Sequence, residues 1–185
     1  DIELYPGVPS ALGNAAEEGK VDAGPLSLVD FWRLEDRFVQ VGQFCIATFG
    51  KTRSVLFYSK RPIEELEGAT LGVTSHTSTS RKLLEVLLAH RFKVSPGSYV
   101  DMHEPNDAFL IIGDDALKCR YGVPSYPYRY DLGEEWFHLT GLPFVFAVWA
   151  ARKDLDPEAI TYLTNVLYGC IDEAMEHMNN IAKMR

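Results

Sequence analysis

The densest run of chemically useful side chains in the sequence is "TSHTSTSRKLL", residues 74–84. A strand end passes there into a hydroxyl-rich turn and then into a helix start. Ser78, Thr79 and Ser80 are suited to cap that helix while its unpaired N–H groups point outward. The helix dipole adds partial positive charge, and Arg81 and Lys82 add more where they face a cleft. Amides, alcohols and a dipole end together make a cradle for a carboxylate. The same residues also read as a hydroxyl-rich cap with no ligand, and the local pattern leaves both open. In "IIGDDAL", Gly113 leaves a buried strand, and Asp114 or Asp115 starts a helix. Glycine permits close backbone approach by a ligand; the alternative is a tight turn with an aspartate cap. "TRSVLFYS" places Ser54 at the head of a strand, and "GPLSLVD" places Ser27 at a similar strand end. Each hydroxyl either donates to a ligand or merely ends a loop. His76, inside the hydroxyl-rich turn, is either a general acid or base or a solvent-facing residue.

Other patterns are excluded. His90, His103, His138 and His177 show no spacing that suits a metal, and Glu134 and Glu135 read as first-turn helix residues favoured by the dipole. Phe137, Phe144, Phe146 and Trp149 read as core. No P-loop, G-x-G-x-x-G, H-E-x-x-H or G-x-S-x-G pattern occurs.

These residues need elements to hold them. "IELY" is a strand candidate, 9–20 a modest helix closed by Gly19, and 21–26 a second buried strand, so the order predicts a parallel βαβ unit. "FVQVGQFCIATF" and "RSVLFYSK" are extended, "IEELEG" is one helical turn, and "ATLGVT" is a strand. Leu83, Leu84, Leu87 and Leu88 recur at helical spacing. "GSYVDM" and "AFLIIGD" follow as strands. As parallel neighbours they need a connection of about a dozen residues, and "HEPND" is far shorter. Either they pair antiparallel or a crossover segment near 104–106 is missing; the second is favoured because both look buried on two faces. The block "YRYDLGEEWFHLTGLPFVFAVWAARK" reads as a short strand, a helix of about two turns and a strand, 144–149, buried on both faces. From 156 onward a long amphipathic helix or pair is expected, with one apolar stripe of Ile160, Leu163, Val166, Leu167, Cys170, Ile171, Ala174, Met175 and Met178. Asp156-Pro157 marks its start.

The chain of 185 residues allows one domain or two small lobes. Its net charge of −8 argues against nucleic acid or an anionic membrane as partner. A small anionic ligand stays compatible, since a local pocket can oppose the global field. Cys45, Cys119 and Cys170 are far apart in sequence and read as buried, reduced thiols. No export signal and no spanning apolar run appears, so a cytoplasmic protein is expected.

Taken in order, "VDAGPLS", "RSVLFYSKRPIEELEG", "TSHTSTSRKLLEVLL", "LIIGDDAL" and "YDLGEEWFHLTGLPFVFAVWA" resemble the chorismate dehydratases of the futalosine route to menaquinone (MqnA family). A sister family, the 1,4-dihydroxy-6-naphthoate synthases, shares parts of the pattern. The resemblance implies an α/β fold of two lobes like the type 2 periplasmic binding proteins, with a ligand cleft between them. Lobe 1 would hold 1–53 and 144–185, and lobe 2 would hold 54–143 with the crossing segments. It implies a carbon–oxygen lyase, a hydro-lyase that converts chorismate to 3-[(1-carboxyvinyl)oxy]benzoate with no cofactor and no metal. The alternatives are a non-catalytic carboxylate-binding module and the naphthoate synthase. The implied substrate-binding residues are Ser27, Ser54, Thr77, Ser78, Thr79, Ser80, Gly113 and Asp114, with Ser54 catalytic. The proton acceptor would be a carboxylate of the substrate itself. Family members begin with a strand and a segment carrying a cleft asparagine, which has no counterpart here; Asn14 is not its equivalent. An incomplete view of a longer chain, abbreviated at the start, near 104–106 and at the tail, is therefore expected. The pattern leaves the oligomeric state open.

Overall fold

A computed structural model describes residues 2–178. In chain order the elements are α1 (Pro9–Glu17), β1 (Ala23–Ser27), α2 (Leu28–Arg33), β2 (Phe38–Thr48), β3 (Val55–Ser59), β4 (Thr70–Val73), α3 (Thr79–Leu87), β5 (Ser98–Asp101), β6 (Ala108–Ile112), α4 (Gly113–Lys118), β7 (Tyr128–Asp131), α5 (Leu132–Thr140), β8 (Phe144–Arg152) and α6 (Pro157–Glu176). The strands form two sheets. The smaller has the order β1-β8-β2 and the larger β5-β4-β6-β3-β7.

The larger sheet has a core on each face. Val55, Phe57, Leu71, Val73 and Leu110 point to one side, where Leu83, Leu84, Leu87 and Leu88 cover them. All four leucines are buried, as their spacing predicts; each such side chain contributes ~1.5–3 kcal/mol. Leu56, Tyr58, Phe109 and Ile111 point to the other side, against Ala116 and the loop around Val123 and Tyr126. β8 joins the two halves of the molecule. Phe144 and Phe146 pack on the larger sheet's core, while Ala150 lies in the smaller sheet's core with Leu26, Leu34 and Phe38. Trp136 meets Phe144 edge-on, with ring centroids 5.1 Å apart, and its Nε1 donates to the Pro143 carbonyl at 3.2 Å.

Several sequence expectations are corrected. Residues 2–8 form no strand. β1 pairs antiparallel with β8 rather than parallel in a βαβ unit. β8 is only half-buried along 144–147 and is fully buried at Val148, Ala150 and Ala151. Cys45 and Cys170 are exposed, not buried. "LVDFWR" is the helix α2, closed at its start by Ser27. The apolar stripe of α6 is real in sequence, yet none of its residues is fully buried, and Ile171, Met175 and Met178 are exposed. The expected helix beyond Met178 lies outside the described residues. No helix among the described residues is long and apolar enough to cross a membrane.

The short connection between β5 and β6 has a physical answer. The two strands are not neighbours; both pair parallel with β4, which lies between them. Segment 102–107 therefore passes directly over β4. It does so at Gly72, where an added Cβ would sit 2.7 Å from Asn106 Nδ2 and 3.0 Å from Met102 Cα. With no side chain at that point, no helix is needed to lift the crossover clear. Asn106 knits the segment: its amide donates to the Met102 and Glu104 carbonyls at 3.1 and 2.8 Å, and its Oδ1 accepts from the Tyr126 hydroxyl at 3.0 Å. Asp107 ends it by accepting from the Thr70 amide at 2.9 Å.

Gly72→Ala is expected to cost about 2 kcal/mol and lower the melting temperature by roughly 5 °C, measured by calorimetry; an unchanged value would mean that the crossover does not rest on β4. A second expectation concerns alkali. Burial pushes Tyr58, Tyr99 and Tyr130 above the ordinary tyrosine value of 10.0. The fold thus favours the neutral phenols, and that contribution is present below about pH 10 and lost as pH rises through the raised values. Urea unfolding midpoints should fall above about pH 10, and less steeply in Tyr58→Phe.

Candidate functional site

One edge of the larger sheet collects the chemistry. β4 and β6 are parallel, so their carboxyl ends coincide, and antiparallel pairing brings the start of β3 and the end of β7 to the same edge. Val55 pairs with Ile112 and Leu56 with Asp131. Ser54, Gly113, Asp114 and the turn 74–78 are therefore neighbours there. Ligands of open α/β sheets commonly bind at such carboxyl ends.

The hydroxyls divide their tasks. Thr77 Oγ1 accepts from the Ser80 amide at 3.1 Å and caps α3, whereas Ser78 makes no capping bond. Thr79 and Ser80 are buried. Thr79 Oγ1 accepts from the Val29 amide of α2 at 3.0 Å, so the start of α3 on the larger sheet meets the start of α2 beside the smaller one. Ser54 is half-buried. Its carbonyl accepts from the Gly113 amide at 2.8 Å, while its hydroxyl reaches the Thr52 carbonyl only at 3.5 Å, a weak hold that leaves it available. Gly113 takes φ +65, a left-handed conformation that opens the chain without a Cβ penalty, and Asp114 is exposed in the first turn of α4. Lys118, at 2.8 Å, holds the Asp115 carboxyl below its usual range, with smaller help from His76 and His103. The turns 74–78 and 102–105 thus flank α4.

Ser27 sits differently. It is buried, donates to Asp30 Oδ2 at 2.7 Å and accepts from the Asp30 amide at 3.2 Å. Its hydroxyl is already engaged twice, and its effect on the site is to fix the start of α2. Asp30 in turn leaves no room beside Gly13, where an added Cβ would lie 2.6 Å from Asp30 Cγ. Two open hollows lie away from this edge, one along α6 at Pro157, Thr161 and Tyr162 and one on the far face of the larger sheet at Tyr58, Tyr126 and Arg129.

Asp131 escaped the sequence reading. Its buried carboxylate accepts from the Thr52 amide (3.0 Å), the Thr52 hydroxyl (3.2 Å), the Arg53 amide (2.7 Å), the Gly133 amide (3.0 Å) and the Glu134 amide (3.3 Å). It caps α5 and pins the loop that delivers Ser54. Arg53 has φ 62, an uncommon conformation for a side-chain-bearing residue, and Asp131 holds its amide. Gly133 lets the loop close in: an added Cβ would lie 2.5 Å from the Gly50 carbonyl oxygen. Asp131→Ala is expected to cost about 3 kcal/mol, because several charge-assisted bonds go at once. Amide exchange at Arg53 should accelerate with it; protection that persists would show that the loop holds itself.

The chain has relatives among known proteins. Over 169 residues the chain is 30% identical to a chorismate dehydratase from Thermus thermophilus, covering 81% of this chain and 61% of that protein. It is 27% identical over 178 residues to a 1,4-dihydroxy-6-naphthoate synthase from Streptomyces coelicolor, covering 87% and 59%. The chain thus spans about 60% of the length of both relatives. Among solved structures, a protein of Archaeoglobus fulgidus superposes with a TM-score of 0.73 at 20% identity, covering 97% of this chain and 67% of that one. The periplasmic aliphatic sulphonate binding protein of Escherichia coli superposes with a TM-score of 0.60 at 15% identity, covering 96% and 62%. These likenesses establish the two-lobed fold of the type 2 binding proteins. A family model described as menaquinone biosynthesis matches residues 1–185, and the chain belongs to that family.

Proposed function

We propose that the chain acts on chorismate as a hydro-lyase, releasing water to give 3-[(1-carboxyvinyl)oxy]benzoate, as a cytoplasmic step of menaquinone biosynthesis. The observation that carries this is the meeting of two helix starts, α2 and α3, with α3 leaving the same edge of the larger sheet from which Ser54 enters. The lobes are taken as 1–53 with 144–185, and 54–143, with the substrate between them. The identity to the Thermus dehydratase supports the choice of substrate.

The chemistry asks for little more than grip and polarity. A ring proton leaves with its C–H electrons remaining in the ring. The neighbouring hydroxyl departs with its bonding pair, and proton and hydroxide become water. Aromatisation supplies the driving force, so orientation and stabilisation of the departing oxygen are what the chain must provide. Thr77, Ser78, Thr79 and Ser80 hold one substrate carboxylate, Gly113 and Asp114 line the cleft, and Ser27 keeps α2 in place opposite. Ser54 donates to the departing hydroxyl. A substrate carboxylate takes the proton.

The sister reaction, naphthoate synthase, is favoured by the Streptomyces relative. Incubation with chorismate separates the two: loss of the cyclohexadiene absorbance with formation of the benzoate ether supports the dehydratase. Turnover of a cyclic futalosine derivative instead supports the synthase, and binding without turnover supports a carboxylate-binding module. Ser54→Ala should lower kcat roughly 100-fold with melting unchanged, as loss of one preorganised donor does. His76→Gln should leave kcat within about threefold; a fall of roughly 100-fold or more, with loss of a pH limb, would make His76 the base instead.

A further inference from the structure

The far face of the larger sheet carries a second hollow, of about 570 Å³, walled by Tyr58, Tyr121, Val123, Pro124, Tyr126 and Arg129. Tyr58 and Arg129 are register partners on β3 and β7, so their side chains stand next to each other on that face. Tyr58 lies roughly 13 Å along β3 from Ser54, and its side chain points away from the face that α3 covers. The hollow is therefore separate from the edge described above.

Its electrostatics run against the rest of the molecule. The chain carries a net charge of −8, and half of its described lysines and arginines are paired with carboxylates. Around this hollow three are not. Lys60 donates to the Asn106 carbonyl at 2.6 Å and lies 5.2 Å from the centre of the Tyr126 ring. Arg120 lies over the Tyr121 ring and donates to its hydroxyl at 2.9 Å. Arg129 donates to the Arg120 carbonyl and polarises the Tyr58 hydroxyl. No ion pair to Lys60, Arg120 or Arg129 is found among the described residues. Arg129 has five N–H donors, and these contacts leave part of its fork available. Three cations without a carboxylate partner thus gather around one hollow of an acidic chain, which favours an anionic guest there.

The walls are as informative as the charge. Tyrosine rings and prolines offer flat apolar surfaces, which suit a planar ring. An arginine fork at one side suits a carboxylate, which it can take through two parallel bonds. Ring faces beside hydroxyl and guanidinium groups give the hollow a mixed lining, able to pack a flat ring and to hold a polar substituent at once. We propose that this hollow binds an aromatic carboxylate, its ring against Tyr126 and its carboxyl group on Arg129. The inference does not depend on the reaction proposed for the other edge.

Benzoate, cyclohexanecarboxylate and inorganic phosphate are the probes, followed by amide chemical shifts on the intact chain. Benzoate is expected to shift amides around Tyr121, Tyr126 and Arg129, and to bind about tenfold more tightly than cyclohexanecarboxylate, since stacking needs a flat ring. Arg129→Gln should weaken benzoate at least roughly tenfold and Arg129→Lys less, because the point charge survives without the fork. Thr79→Val should leave this binding intact. Benzoate affinity that is unchanged in Arg129→Gln, shifts confined to Ser54 and Thr79, or phosphate binding as tight as benzoate would each overturn the proposal.

Discussion

Five hydrogen bonds converge on the carboxylate of Asp131, and much of the architecture hangs from that point. Two of its partners are backbone amides of the loop that leaves the smaller sheet, and two are the unpaired amides at the start of α5. A single buried anion thus satisfies orphan donors from two segments that lie far apart in sequence. The alternative, leaving those amides buried and unmet, would cost a few kcal/mol. The arrangement also fixes where Ser54 emerges, because Arg53 is held in a left-handed conformation immediately before it. A candidate site residue on a loop gains precision here from a helix cap.

The same economy recurs in the smaller half. Ser27 and Asp30 bond each other across the start of α2, and Asp30 also takes Arg33 at 3.2 Å. The start of α2 is thereby aimed at α3, where Thr79 completes the contact. Side chains that look like ligand contacts in the sequence are divided between those engaged in holding the frame and those with bonding capacity left over. Ser27 holds the frame, Thr77 caps α3 through its oxygen with its hydroxyl proton still to give, and Ser54 and Asp114 keep polar groups to spare.

Periodicity and punctuation made the strands of the larger sheet, the leucine face of α3 and the short helix α5 legible in advance. The resemblance carried the two-lobed arrangement. What stayed hidden depended on contacts between distant residues. Asp131 meets Thr52 across 79 positions, and nothing local to "YDLGEEW" reveals that span. α2 is only six residues long, too short for a periodic signal, so it went unassigned after the strand expected at 21–26. The parallel unit predicted near the start failed because β1 had another partner in β8, more than 100 positions later. The short spacing between β5 and β6 was legible, and the strand lying between them was not. Gly72 lets a short segment cross where a helix was expected, and a lone glycine inside a strand is a quiet clue.

The Thr79–Val29 contact bears on how any guest would enter. A hydroxyl and an amide that already satisfy each other close the gap between the helix starts with one neutral hydrogen bond, worth about 1 kcal/mol net. Thermal motion breaks so weak a latch readily, and an arriving carboxylate would offer the amide a stronger acceptor than the one it gives up. Admission would then proceed by exchange of one acceptor for another, with little energetic barrier at the threshold.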